Sequence, residues 1–237
     1  MPLPISKYIF SSMWLLLLAA PLFAQEKEKA APDSIRKFQL PTGLRIGTDL
    51  IAIGKTIADS PLESWEVNAD VDFGRYYLAL DYGNWSRTET LQNGDYRNEG
   101  NYWRAGVDIN FLTKDPDKNM FFIGFRYGRA AYDEYMNYNF TTPEFGDQQR
   151  ELSNIGATGG WGEMTLGLRV KIWKEIWMGY TARMKFLPST NGTGALETYD
   201  LPGYGLASDN LYWGFNYQVF YRIPFKKQKE TISLDKK

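Results

Sequence analysis

The stretch NLYWGFNYQVFYRIPF, residues 210–225, limits what this chain can fold into more than any other. Leu211, Trp213, Phe215, Tyr217, Val219, Tyr221, Ile223 and Phe225 occupy every second position. The alternate set, Tyr212, Gly214, Asn216, Gln218, Phe220, Arg222 and Pro224, is mixed and partly polar. Period-two alternation marks a β-strand with two different faces. It persists for about fifteen residues, whereas strands of soluble domains usually run about five or six. One face needs apolar surroundings along its whole length and the other accepts a charge. A strand between lipid and the polar interior of a barrel meets that description.

Seven more segments carry the same alternation, at about 43–53, 64–73, 76–85, 100–112, 120–135, 161–173 and 176–187. The clearest is 64–73, where Trp65, Val67, Ala69, Val71 and Phe73 alternate with Glu66, Asn68, Asp70 and Asp72. Gly74-Arg75 and Lys174-Glu175 read as tight turns, and TKDPDKN at 113–119 as a short one. The connections at 54–63, 86–99, 137–158 and 188–209 are long. Long and short connections therefore alternate, as in outer-membrane barrels with short periplasmic turns and long outer loops. The expected fold is all-β: an eight-stranded antiparallel up-and-down transmembrane β-barrel with a polar, side-chain-filled interior. No segment after the N-terminal leader shows convincing helical periodicity.

The leader has Lys7, an apolar core over residues 9–18, and Ala24 before the charged run 25–29. That is the layout of a Sec signal peptide, and the core is shorter than the roughly 20 residues of a membrane span. The expected organisation is 1–24 signal peptide, 25–42 flexible periplasmic lead-in, 43–225 outer-membrane barrel and 226–237 charged tail.

Composition removes several function classes. The 237 residues contain no Cys and no His. Thiolate and imidazole metal ligands, Ser-His-Asp triads and a His general base are therefore absent. The 27 Lys and Arg against 28 Asp and Glu leave no basic excess for nucleic acid. Aromatic residues make up 16%, high for a soluble domain and suited to girdles at two membrane interfaces. Trp85, Trp103, Trp161, Trp173, Trp177 and Trp213 read as interface anchors.

If the apolar set faces lipid, the opposite set is enclosed. It contains Arg45, Asp49, Glu66, Asp70, Asp72, Asp81, Arg104, Asp108, Arg126, Glu163, Arg169, Lys171, Arg183, Lys185 and Arg222. Near balance of sign is expected, because an unpartnered buried charge costs several kcal/mol. Inward glycines such as Gly106, Gly124, Gly128 and Gly167 leave room for the long side chains. The main reading is a structural salt-bridge core; a narrow ion path or a catalytic pair of Glu66 with Asp70 is the sharper alternative. GATGG at 156–160 lacks the Lys of a phosphate loop and reads as a flexible lead-in to the sixth strand. Asp115, Asp117 and Asn119 lack the Gly and closing Glu of a Ca²⁺ loop.

Several runs carry a resemblance: FAQ (23–25), GLRIGTDL (43–50), FFIGFRYGRAAY (121–132), WMGYTARMKF (177–186), YDLPGYG (199–205) and FNYQVFYRIPFKK (215–227). They resemble a family of Bacteroidota exported β-barrel proteins of unknown function, DUF6048. The resemblance implies an outer-membrane barrel and supplies no activity and no site residues. Phe225 is similar to the terminal aromatic read by the barrel-assembly machinery, although here a tail follows it. The expectation is a non-enzymatic outer-membrane protein without cofactor or metal, in contact with outer-membrane lipid and lipopolysaccharide. Its role is structural or surface-interacting, through the loops 86–99, 137–158 and 188–209 and a partner that the residues do not identify. A narrow ion or solute channel and a soluble periplasmic lipocalin-like binder with the apolar set inside are the alternatives.

Overall fold

The computed structural model describes residues 40–58, 61–192 and 194–225. The expected signal peptide, most of the lead-in and the tail lie outside the described residues.

The elements are β1 (Gly43–Asp49), α1 (Leu50–Ile57), β2 (Leu62–Phe73), β3 (Tyr76–Leu91), β4 (Gly94–Asn110), β5 (Met120–Thr142), β6 (Gly146–Trp173), β7 (Ile176–Asn191), β8 (Asp200–Leu201), β9 (Gly205–Leu206) and β10 (Leu211–Pro224). Eight strands form one antiparallel sheet in the ring order β1-β10-β7-β6-β5-β4-β3-β2, so nearly all sequential long strands pair with each other. β1 joins the ends of the ring: Gly43 to Asp49 lie opposite Pro224 to Gln218, and Leu44 to Thr48 lie opposite Val71 to Val67. β8 and β9 form a separate two-stranded hairpin. Gly74, with φ of 73°, closes the two-residue turn between β2 and β3, in the left-handed region that Gly enters at little cost.

Side chains divide between the two faces as the alternation requires. Trp65 and Val67 are each 45% exposed while Glu66 between them is 2%. Outer residues of β3, β5 and β10, such as Leu78, Leu80, Phe125, Phe215 and Tyr221, are exposed, whereas Asp70, Asp81, Arg104, Asp108 and Arg183 are buried. The apolar outer band ends in a line of aromatic pairs, Trp65–Tyr82 at 5.8 Å and Trp103–Tyr127 at 5.9 Å between ring centroids. One step beyond it the outer face turns polar, with Asn84 Nδ2 donating to Asn101 Oδ1 at 3.1 Å.

The interior has three layers. Tyr77, Met120 and Phe122 form an apolar floor near the short turns. Charged residues fill the middle. At the far end Tyr102, Ala130, Tyr132, Ala157 and Trp161 pack against Leu201 and Tyr204 of the β8–β9 hairpin.

Several expectations are corrected. The connections 86–99 and 137–158 are largely strand: β3 and β4 run to a turn at residues 92–93, and β5 and β6 to one at 143–145. The outer face of these extensions meets water and the inner face carries polar or mixed residues such as Tyr96, Asn98 and Asn154 that are buried at the cap end, so the apolar alternation that marks a strand is missing there. GATGG lies within β6, where the register shifts between Gly160 and Gly162, and is not a flexible lead-in. Trp161 and Trp177 are buried and face inward, and Trp85 bonds inward to Asp200. Those three are not interface anchors, while Trp103, Trp173 and Trp213 are exposed on the outside. The first strand stops at Asp49, and α1 takes over part of the expected strand and connection.

Candidate functional site

The middle layer is a continuous ion-pair lattice. Asp70 receives Arg45 Nε at 2.8 Å through Oδ1 and Arg169 through Oδ2. Arg169 reaches on to Asp108 at 3.6 Å, and Asp108 binds Arg126 at 2.8 Å. Arg126 also binds Asp81, which takes Arg104 and Arg183 at 3.2 Å each. Arg104 and Arg183 share Glu66 and Glu163, with Arg183 Nη1 3.0 Å from Glu163 Oε2. Neutral donors supply further bonds to the acids: Asn68 Nδ2 bridges Glu66 and Asp81 at 2.7 Å each, Tyr102 Oη donates to Glu66 at 2.6 Å, and Trp161 Nε1 donates to Glu163 at 2.7 Å. Arg169 also lies between two rings, its guanidinium carbon 4.8 Å from the centroid of Phe122 and 4.5 Å from that of Phe220.

Glycines on the inner wall make this lattice fit. A Cβ on Gly124 would lie 2.1 Å from Asp108 Oδ1 and 2.5 Å from Thr165 Oγ1. One on Gly128 would lie 2.3 Å from the Trp161 ring.

The lattice divides Glu66 from Asp70. Glu66 is held by Tyr102, Arg104 and Asn68, and Asp70 by Arg45 and Arg169. Asp115 uses Oδ1 to accept from the backbone of Asp117 and Asn119, at 2.9 and 3.1 Å. Among the described residues no group of three Asp, Glu, His or Cys is arranged to hold a metal ion. Lys171 leaves the inner set and pairs with Asp117 at 3.0 Å near the turns.

The far end is closed by residues 199–206. Glu134 Oε1 accepts from Tyr96 Oη at 2.5 Å, Tyr199 N at 2.9 Å and Asp200 N at 3.3 Å. Asn98 Nδ2 donates to the Asp200 carbonyl at 2.7 Å, and Trp85 Nε1 to its carboxylate at 2.8 Å. Burial pushes the Asp200 carboxyl above the usual aspartate range, and nearby Glu134 adds to the rise. Sequence reading placed YDLPGYG in an open connection. The buried Leu201 and Tyr204 had no periodic pattern to reveal them, because a two-residue strand is too short to show one.

A third feature lies beside this cap. β1 ends at Asp49, but β2 continues to Leu62 and β10 to Leu211. Among the described residues no strand joins those two extensions. Helix α1 lies against both β2 and β10 in that gap. Asp49 anchors it: Oδ1 accepts from Ile51 N and Tyr217 N at 3.1 Å each, and Oδ2 accepts from Asn216 Nδ2 at 2.7 Å. Thr56 Oγ1 accepts from Ser64 N at 3.0 Å and ties the helix to β2. Beneath α1 is a cavity of about 350 Å³ reaching Asp49, Glu66, Trp85, Tyr102, Arg104, Lys185 and Asn216. No helix among the described residues is long and apolar enough to cross a membrane, which says nothing of strands.

Eight antiparallel strands in ring order, charged within and apolar without, define a protein built like the small outer-membrane barrels. The chain belongs to the DUF6048 family, described as a domain of unknown function, whose profile matches residues 5–228. No curated protein matches it. Among solved structures it is similar to CarO2 of Acinetobacter baumannii, at 12% identity over 78% of this chain and 99% of that one, with a TM-score of 0.41. CarO of the same organism gives 12% identity over 80% and 100%, with a TM-score of 0.38. Likeness at that level carries no inference about activity.

Proposed function

We propose that this chain is an eight-stranded outer-membrane β-barrel, exported by its Sec signal peptide, with a structural or surface-interaction role and no catalytic chemistry. One observation carries the membrane reading: the enclosed face holds a balanced ion-pair lattice, and the outer face is an apolar band edged by aromatic pairs. Water does not favour that distribution, and lipid does. A soluble lipocalin-like binder needs the reverse, with a greasy pocket inside. The lattice also disfavours the channel reading, since a passing ion would have to displace buried guanidinium–carboxylate pairs.

The surface role rests on the two strand extensions. Beyond the aromatic line, β3 to β6 continue as a polar four-stranded sheet. The 146–152 part of β6 pairs with β5 on one side and, among the described residues, with no strand on the other. An unpaired strand edge accepts an added strand through its backbone, so a partner presenting an extended segment fits here. The barrel-assembly machinery and outer-membrane lipid, including lipopolysaccharide, are the contacts this placement implies.

Fractionation of the producing cells tests the reading. The mature chain is expected in the outer-membrane fraction, resistant to carbonate extraction, with an unboiled electrophoretic mobility different from the boiled one. Recovery of folded chain in the soluble periplasm without detergent would refute it. In planar bilayers the folded protein is expected to give no stepwise conductance; regular openings would restore the channel reading.

A further inference from the structure

The cavity under α1 is lined by two ionisable side chains, Lys185 and Asp49, that form no ion pair with the lattice. Lys185 is buried, and its Nζ donates only to backbone carbonyls, Gly203 O at 2.7 Å and Tyr204 O at 2.9 Å. It makes no ion pair with a carboxylate of the described residues, and an ammonium has three hydrogens to donate, so one is left over. Asp49 is buried too. Its partners are two backbone amides and the Asn216 amide, with no cation of the described residues in contact. Every acid and base of the lattice has an opposite charge within 4.0 Å, so these two differ from the lattice; the other buried acid without a cation, Glu134, lies under the cap and takes three neutral donors.

They also stand apart from each other. Lys185 comes from β7 and Asp49 from the end of β1, with β10 between them and the cavity of about 350 Å³ reaching both. An uncompensated buried charge is costly, and folding could have removed this cost by letting the two meet. Asn216 and the helix N-cap hold Asp49 in place, while the cap carbonyls hold Lys185. A hollow with a fixed ammonium on one wall and a fixed carboxylate on another is complementary to a molecule carrying the reverse pair. Its volume lies at the small end of ligand sites, roughly 300–1,000 Å³. Trp85, Tyr102 and Tyr212 add ring surface, with the Tyr212 centroid 5.6 Å from Lys185 Nζ. Access follows from the wall: α1 is the only element spanning the gap between β2 and β10 among the described residues.

We propose that this cavity binds a small zwitterion, with the ligand's anionic group toward Lys185 and its ammonium toward Asp49. Two sources share that chemistry, a free α-amino acid and a phosphoethanolamine group. The site requires no function of the strand edge and no conduction.

The test is isothermal titration of the refolded mature chain in detergent micelles. The probes are L-glutamine, O-phosphoethanolamine, n-butylamine and butyrate. Saturable binding of at least one zwitterion is expected, at least 10-fold tighter than either singly charged probe. Lys185→Met and Asp49→Asn should each weaken it 10-fold or more, as expected for losing a charged hydrogen bond of about 1.5–3 kcal/mol. Ala52→Phe, which projects from α1 into the cavity and leaves both charges in place, should also abolish binding while heat-modifiability shows an intact fold. Tighter binding of glutamine identifies the amino-acid source, and tighter binding of phosphoethanolamine the headgroup source. No saturable binding of either zwitterion would overturn the proposal. So would equal binding by singly charged probes, or binding by a folded Ala52→Phe variant that matches the unmodified chain.

Discussion

Asp81 meets more arginines than any other acid of the lattice, and replacing it with asparagine probes whether the ion pairs stabilise the fold. Its side chain meets Arg104, Arg126 and Arg183 and accepts from Asn68. Asp81→Asn keeps the shape and removes the charge. Arg126 keeps Asp108, and Arg104 and Arg183 keep Glu66 and Glu163, so the guanidiniums are only partly abandoned. Breaking a buried pair from one side typically costs about 3–5 kcal/mol. The partial compensation places this change at the low end, about 3 kcal/mol. With a urea slope of about 2 kcal/mol per molar, the unfolding midpoint should fall by roughly 1.5 M. Reversible urea unfolding in detergent, followed by electrophoretic mobility and tryptophan emission, measures it. The shift should survive 1 M NaCl, where the Debye length is about 3 Å, because these groups do not meet bulk solvent. A midpoint within about 0.2 M of the unmodified chain would refute the reasoning, since it would mean that the lattice is hydrated and its charges screened.

Other outcomes follow from the same geometry. Gly124→Leu should block folding or lower stability by several kcal/mol, because even a Cβ meets Asp108 and Thr165; urea midpoints would reveal a tolerant site. The Asp200 carboxyl is raised in the folded state, so its contribution to cap docking is fullest below the unfolded value near 4 and declines as pH rises through the folded value. Amide exchange over residues 199–204 should therefore be slower, relative to the intrinsic rate, at pH 4 than at pH 7.5, and Asp200→Asn should flatten the difference. Deleting residues 198–206 should leave planar bilayers silent, because the ion-pair lattice below the cap remains; new openings would assign the seal to the cap instead.

The ring and its polarity were legible because lipid and enclosure impose period two on every strand, as Trp65 and Glu66 show. The sign balance of the enclosed set also pointed to pairing, although not to which arginine meets which acid. Partner choice depends on strand register, and the alternation is nearly unchanged by a shift of two residues. Strand ends above the aromatic line were illegible for a different reason: Arg97, Glu99, Asp147 and Arg150 meet water, so no apolar phase marks them. α1 escaped notice because Leu50, Ile51, Ile53 and Ile57 fit the end of a strand as readily as one face of two helical turns. Trp161 and Trp177 looked like interface anchors by residue type, whereas their phase relative to Met164 and Met178 places them inside. The unpaired groups Lys185 and Asp49 could not be separated from the thirteen other charged residues of the enclosed set until the structure showed which ones touch.

The shortness of β1 has a consequence for how the cylinder is completed. Among the described residues its seven positions carry the only strand pairing between β2 and β10, whereas β5 and β6 share a far longer interface. A sheet that zips hairpin by hairpin from β2 to β10 leaves that narrow join as its final stitch. The same place is then the first to part under stress, and a cross-link between residues 46 and 221 should delay unfolding more than one placed within any hairpin.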